Sequence, residues 1–82
     1  MLKATITKIA RNISSPQVDV EVTYSESKSG LNVSRVFTRG FEEANIENVT
    51  NLIQKTGQEY KTTLVNEDAL KKEFEGKEIE IN

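Results

Sequence analysis

The chain begins with an alternation of apolar and polar residues that predicts a β-strand with one buried face. From residue 2 to residue 6 every second side chain is apolar, which is the period of a strand. The phase then changes, because Ile9 and Ile13 occupy odd positions. One extra residue near Thr7 and Lys8, forming a β-bulge, explains the change, and a simple end of the strand explains it equally well.

A second strand is the clearest feature of the pattern. Residues 14–17 contain a proline and favour a turn, and valine then alternates with polar residues from Val18 to Tyr24. The polar residues that follow, 25–30, predict a hairpin loop, in which Gly30 suits a backbone with positive φ.

A third strand is predicted from Leu31 to about Arg39. Both Arg35 and Arg39 occupy odd positions together with Phe37. An unbroken strand would therefore place both arginines on the apolar face. A bulge near Arg35 would avoid this, and so would an arginine stem that lies along the sheet at its edge.

The period becomes helical after Glu42. Apolar residues recur at the three- and four-residue spacing of an amphipathic helix, at Ile46, Val49, Leu52 and Ile53. Asn45 is a suitable N-cap, and Gly57 stands where a helix would end. The pattern therefore predicts a helix over residues 45–56.

Three further elements are predicted in the remaining residues. Residues 60–65 alternate and are rich in β-branched side chains, which favours a strand. Asn66 could then cap a short helix that ends at Gly76. Residues 78–81 alternate glutamate with isoleucine, which predicts a closing strand.

Together these elements predict one α+β domain over residues 1–82, in the order β-β-β-α-β-α-β. We expect two layers: a mainly antiparallel sheet of four to five strands, with one main helix packed across it and one short helix. The predicted core consists of apolar residues on the inward faces of these elements: Ile6, Val18, Val20, Val22, Val33, Phe37, Ile46, Val49, Leu52, Ile53, Leu64, Leu70, Phe74 and Ile79.

Composition argues against most catalytic chemistry. The chain contains no histidine, cysteine or tryptophan, so it lacks the side chain best suited to proton transfer near pH 7, the thiolate nucleophile and the usual ligands of transition metals. None of its serines has an imidazole to activate it. Its acidic residues show no calcium-loop spacing, and its four glycines form no phosphate-binding loop. We therefore expect no catalytic residues, no metal site and no cofactor.

The ends of the sequence and its hydropathy favour a cytoplasmic protein. Residues 1–6 lack the apolar run of a signal peptide. No stretch approaches the roughly 20 apolar residues that span a bilayer.

Charge is distributed unevenly between the two halves. Residues 1–41 contain six basic and three acidic residues, a net charge of +3, whereas residues 42–82 contain five basic and ten acidic residues, a net charge of −5. Such asymmetry could orient copies of the chain in an assembly or offer a basic face to an anionic partner.

The basic half contains one candidate binding surface. On a regular strand Arg35, Phe37, Arg39 and Phe41 share a face, where guanidinium groups could contact phosphates and rings could stack on bases. Acidic residues 42 and 43 follow directly and would repel a phosphate backbone. The candidate nucleic-acid contacts are Lys8, Arg11, Arg35, Arg39 and Phe41.

We therefore expect a non-enzymatic protein-interaction or assembly module whose partner is another protein or a second copy of the chain. A sheet of few strands has open edges that another chain can pair with. Short domains without cysteine are common among viral and mobile-element products, so we expect an accessory or structural protein of that kind. The alternative is a small nucleic-acid-binding protein. The sequence indicates no membrane interaction and no small-molecule substrate.

Overall fold

The chain folds as a small α+β domain. The computed structural model describes residues 1–12 and 14–81. In that part of the chain it contains three strands, β1 (Lys3–Asn12), β2 (Gln17–Glu26) and β3 (Leu31–Gly40), and one helix, α1 (Ile46–Phe74). The predicted sheet of four to five strands with two helices is therefore wrong.

The sheet is an antiparallel meander with the order β1-β2-β3, so β2 is its central strand. The turn between β2 and β3 depends on Gly30, which has a φ of 75° and donates its N–H to the carbonyl oxygen of Glu26 over 3.0 Å. A side chain at this φ would be strained. The prediction of a positive φ at Gly30 is confirmed.

Strand β1 contains a bulge, which is one of the two explanations that the change of phase left open. Its pairing with β2 shifts register between Ile6 and Lys8, so that Ile6 lies opposite Val22 and Ile9 opposite Val20. The extra residue thus returns both isoleucines to one face of the sheet. Ile13, which contributed to the prediction, lies outside the described residues.

Strand β3 is unbroken. Its ten residues pair with β2 in a continuous register, in which Arg35 lies opposite Val22 and Arg39 opposite Val18. The bulge considered near Arg35 does not occur, and both arginines lie on the apolar face of the sheet, which we call the inner face.

The outer face of the sheet is polar and internally hydrogen-bonded. Its side-chain pairs join neighbouring strands over 2.7–2.8 Å: Thr7 Oγ1 to Glu21 Oε1, Thr38 Oγ1 to Asp19 Oδ1, and Thr23 Oγ1 with Ser34 Oγ. Val36 is an apolar residue on this face and is 58% exposed. These bonds satisfy polar groups that no other element covers.

Helix α1 begins where the sequence predicts. Asn45 has an extended backbone, and its Oδ1 accepts a hydrogen bond from the N–H of Asn48 over 2.8 Å. This bond satisfies one of the N–H groups that have no partner at the start of a helix. Asn45 is thus the N-cap, as predicted.

The helix continues past Gly57, because its next turns contact Tyr24 of β2. The Tyr24 hydroxyl donates to the carbonyl oxygen of Ile53 over 2.9 Å, and its ring lies 5.0 Å from that of Tyr60, centroid to centroid. A glycine inside a helix costs about 1 kcal/mol relative to alanine, which these contacts offset. The predicted strand over residues 60–65 and the helix beginning after Asn66 are therefore wrong.

Helix α1 ends at the position predicted for the end of the short helix, and no strand follows it in the described residues. Gly76 has a φ of 81°, and the N–H of Lys77 donates to the carbonyl oxygen of Phe74 over 2.9 Å. The predicted strand over residues 78–81 is wrong for the single chain, since within residues 1–12 and 14–81 these residues pair with no strand.

The core is small and centres on β2. Val20, Val22, Tyr24 and Phe37 are its buried apolar residues in the described part of the chain, and Thr56 of α1 is also buried. Partly buried residues complete it: Leu2, Val18, Val33, Val49, Leu52, Ile53 and Tyr60. Several predicted core residues are instead exposed: Ile6, Ile46, Leu70, Phe74 and Ile79.

Within the described residues, no helix combines the length and the hydropathy that crossing a membrane requires. Helix α1 has 29 residues, but charged side chains occur along its whole length. The cytoplasmic location stays a prediction.

We expect Gly57→Ala to raise the free energy of unfolding by up to about 1 kcal/mol, because alanine has the higher helix propensity. A Cβ at Gly57 would lie 3.5 Å from Tyr24 Cε1, which is ordinary van der Waals contact. Gly57→Leu should instead destabilise the domain, since the longer side chain has to displace the Tyr24 ring. Urea denaturation of both variants measures this, and equal effects of both would contradict the proposed contact.

The stability of the domain should fall in alkaline solution. Burial raises the pKa of the Tyr24 hydroxyl above its ordinary value of 10.0. The stabilisation that the protonated hydroxyl provides is therefore complete below pH 10. It is lost as the pH rises through the folded-state pKa, because the hydroxyl of the unfolded chain releases its proton at a lower pH. Denaturation measured from pH 8 to pH 12 should show a smaller decrease in the free energy of unfolding for Tyr24→Phe than for the wild type. At pH 7 the substitution itself should lower this free energy by about 1 kcal/mol, because the hydrogen bond is lost.

Candidate interaction surfaces

The sheet-facing stripe of α1 continues beyond the sheet. Leu70 follows Leu52, and Phe74 follows Thr56, at a distance of 18 residues, which is about five turns of a helix. Thr56 is buried and Leu52 partly buried, whereas Leu70 is 56% and Phe74 47% exposed. The same helical face thus first covers the sheet and then faces solvent. We call residues 65–74 the overhang.

The overhang is held mainly by local interactions. Two exposed ion pairs at i, i+4 spacing join Lys71 to Glu67 over 3.0 Å and Lys72 to Asp68 over 3.2 Å. Exposed pairs of this kind stabilise a helix by only about 0.3–0.5 kcal/mol each. A second surface packed against the overhang would therefore add stability that the single chain does not supply.

The inner face of β1 is a second uncovered apolar surface. Ile6 is 48% and Ile9 67% exposed, although both lie on the face that α1 covers over β2. Strand β1 is also an edge of the sheet, so within residues 1–12 and 14–81 no strand pairs with its backbone groups that point away from β2. Apolar side chains beside an open edge form a surface that another chain can cover.

The segment of residues 77–81 is exposed throughout. Its two isoleucines, Ile79 and Ile81, are 63% and 87% exposed. Glu78 and Glu80 alternate with them. This segment thus has the pattern of a half-buried strand without a sheet to join.

The structure separates Lys8 from the three arginines among the candidate nucleic-acid contacts. Lys8 pairs with Glu21 and lies on the outer face of the sheet. Arg11 and Arg39 lie on the inner face, both opposite Val18 on either side of β2. Arg39 Nη1 donates to the carbonyl oxygen of Thr38 over 2.8 Å.

Arg35 and the aromatic residues beside it are engaged within the domain. Arg35 Nη1 donates to the Tyr60 hydroxyl over 3.3 Å, and its guanidinium carbon lies 5.8 Å from the centroid of the Phe37 ring. The Tyr60 hydrogen bond raises the pKa of Arg35 further. Phe37 is 8% exposed and Phe41 46% exposed. Bases therefore cannot stack on Phe37, and Lys8 lies on the opposite face of the sheet from the three arginines.

The clefts of the described residues are open grooves. One, of about 400 Å³, lies between the β2–β3 turn and α1 and is lined mostly by charged side chains of both signs, including Lys28, Lys61 and Asp68. No group of three metal-ligating side chains occurs in residues 1–12 and 14–81. Ligand pockets combine an apolar lining with a few convergent polar groups, a combination that this groove lacks.

Sequence reasoning placed Leu70 and Phe74 in the core and overlooked Tyr60 and Thr56. One signal could have indicated a single continuous helix: the residues of the stripe keep the same helical spacing from residue 49 to residue 74. It was hidden by Gly57, which favours a helix end, and by the β-branched residues that follow it.

No protein-family model matches the chain, and neither a curated protein nor a solved structure is significantly similar to it.

Two leucines at equivalent positions of the stripe test which part of it is covered. Leu52→Ala should lower the free energy of unfolding by about 2 kcal/mol, because Leu52 packs against the core. Leu70→Ala should change it by less than about 0.5 kcal/mol in dilute monomer, because Leu70 is exposed. Urea denaturation at low protein concentration measures both, and similar losses for the two would show that the overhang is packed in the monomer.

Proposed function

We propose that the protein is a non-enzymatic assembly module that self-associates through the face of the overhang that bears Leu70 and Phe74. One observation carries the proposal: the stripe that covers the sheet continues on the same helical face to Leu70 and Phe74, where it is exposed. An amphipathic helix ordinarily buries its apolar stripe. Exposed apolar side chains with this regular spacing are typical of helices that dock on a second surface.

The uncovered part of the sheet supports an assembly of identical chains. Each copy supplies both an exposed helical stripe and the exposed isoleucines of β1, Ile6 and Ile9. Two copies could therefore bury both surfaces against each other. Subunit association of this kind stabilises a domain with a small core by mass action.

The nucleic-acid alternative has less support. Its candidate residues lie on different faces, and Arg35 is engaged with Tyr60. The origin of the protein in a virus or a mobile element stays a prediction.

Phe74→Lys should weaken self-association, because it places a charge in the exposed stripe. Val65→Lys is the matched control: it adds the same charge at an exposed valine, about 180° around the helix from Phe74. Sedimentation velocity over a concentration series should show a loss of oligomer for Phe74→Lys alone. A wild-type chain that stays monomeric at millimolar concentration would refute the proposal.

A further inference from the structure

We infer that residues 77–81 add as a fourth strand to the β1 edge of a second copy of the chain. This inference rests on the self-association proposed above and names one of its contacts. It assigns a role to three features that have no partner in the part of the chain that the structure describes: the open edge of β1, the exposed isoleucines beside it and the alternating segment after α1.

The two strands match face by face. On β1, Lys3 and Lys8 lie on the outer face, since they pair with outer-face residues of β2, whereas Ile6 and Ile9 lie on the inner face. In residues 78–81 the glutamates alternate with the isoleucines. A strand that places its isoleucines beside Ile6 and Ile9 therefore places Glu80, which lies between them, beside Lys8. Neighbouring apolar pairs and pairs of opposite charge both stabilise a sheet.

Charge complementarity extends over the whole of both segments. Strand β1 contains three basic residues and no acidic residue. Residues 77–81 contain two glutamates and one lysine, a net charge of −1. Two β1 strands would repel each other, whereas β1 and this segment attract.

Lys8 and the bulge also make the edge selective. Lysine side chains and bulges on an edge strand discourage pairing with arbitrary strands. An acidic strand compensates the charge of Lys8, so the same feature that blocks other strands favours this one.

The segment cannot reach the same site on its own chain. Helix α1 runs from the Gln17 end of β2, where the N–H of Phe41 donates to the carbonyl oxygen of Pro16, toward the Tyr24 end. Phe74 lies 14 residues beyond Tyr60, about 21 Å further along the helix.

Ile6 of β1 lies opposite Val22. Val22 is two residues nearer than Tyr24 to the Gln17 end of β2, so Ile6 lies further from Phe74 than Tyr24 does. The extended chain from Phe74 to Ile79 spans at most about 17 Å, so Ile79 cannot lie beside Ile6 of the same copy. A second copy is the occupant that supplies the matching strand.

Charge reversal with rescue tests this contact. Lys3→Glu/Lys8→Glu and Glu78→Lys/Glu80→Lys should each raise the dissociation constant of the oligomer by about tenfold or more, because residues 8 and 80 then carry like charges and the two segments no longer attract. The variant that combines all four substitutions should return to within about threefold of the wild-type value. Sedimentation equilibrium measures the constants, and circular dichroism checks that each variant is folded.

A matched control separates this effect from net charge. Glu42→Lys/Glu43→Lys makes the same change in net charge at exposed residues before α1, outside both the segment and the overhang, and should leave the dissociation constant unchanged. Association that persists in both reversed variants, or that the combined variant does not restore, would overturn the strand contact while self-association stands. A wild-type chain that never associates would overturn the proposed function and this inference together.

Amide hydrogen exchange gives a readout that does not depend on substitutions. The amides of β1 that point away from β2 should exchange several-fold more slowly above the dissociation constant than below it, because a new strand bonds to them. Unchanged exchange at these amides in the oligomer contradicts the inference.

Discussion

The packing of Tyr24 under α1 is the interaction on which the structure depends. A sheet of three strands offers little surface for a core, and in the described residues its buried apolar side chains are those of Val20, Val22, Tyr24 and Phe37. Tyr24 is the largest of those that are fully buried. It contacts the helix at Ile53, Gly57 and Tyr60. Because these contacts span two helical turns, they fix the direction of α1 and thereby carry its second half past the sheet.

The sheet could be predicted from the sequence, whereas the second half of the chain could not. In β2 the alternation is regular, and in β1 the change of phase indicated either a bulge or a strand end near Thr7, because a strand exposes its pattern residue by residue. Residues 57–65 contain a glycine and several β-branched residues, whose local preferences oppose a helix. Tertiary contacts of Tyr60 with Tyr24 and Arg35 outweigh these preferences, and contacts between residues so distant along the chain are not visible in a local pattern.

For the candidate surfaces, the sequence indicates which residues share a face but does not indicate whether that face is covered. Periodicity identified Leu70 and Phe74 as members of an apolar face, but it cannot indicate whether a second surface lies opposite that face. For the basic and aromatic residues of β3 the error is the opposite one: their shared face was expected to be open to a partner. Arg35 and Phe37 share a face, as the alternation implies, but that face is the one that α1 covers. Which side of a strand is open depends on the path of the helix.

The hydrogen-bonded outer face has a consequence for the form of any larger structure. Its threonine and serine hydroxyls and its carboxylates already bond to one another across the strands. Stacking two sheets through this face would remove the charged groups of Asp19 and Glu21 from water with little apolar area in exchange. Growth of the sheet is thereby restricted to the lateral direction, and layered cross-β aggregation is disfavoured.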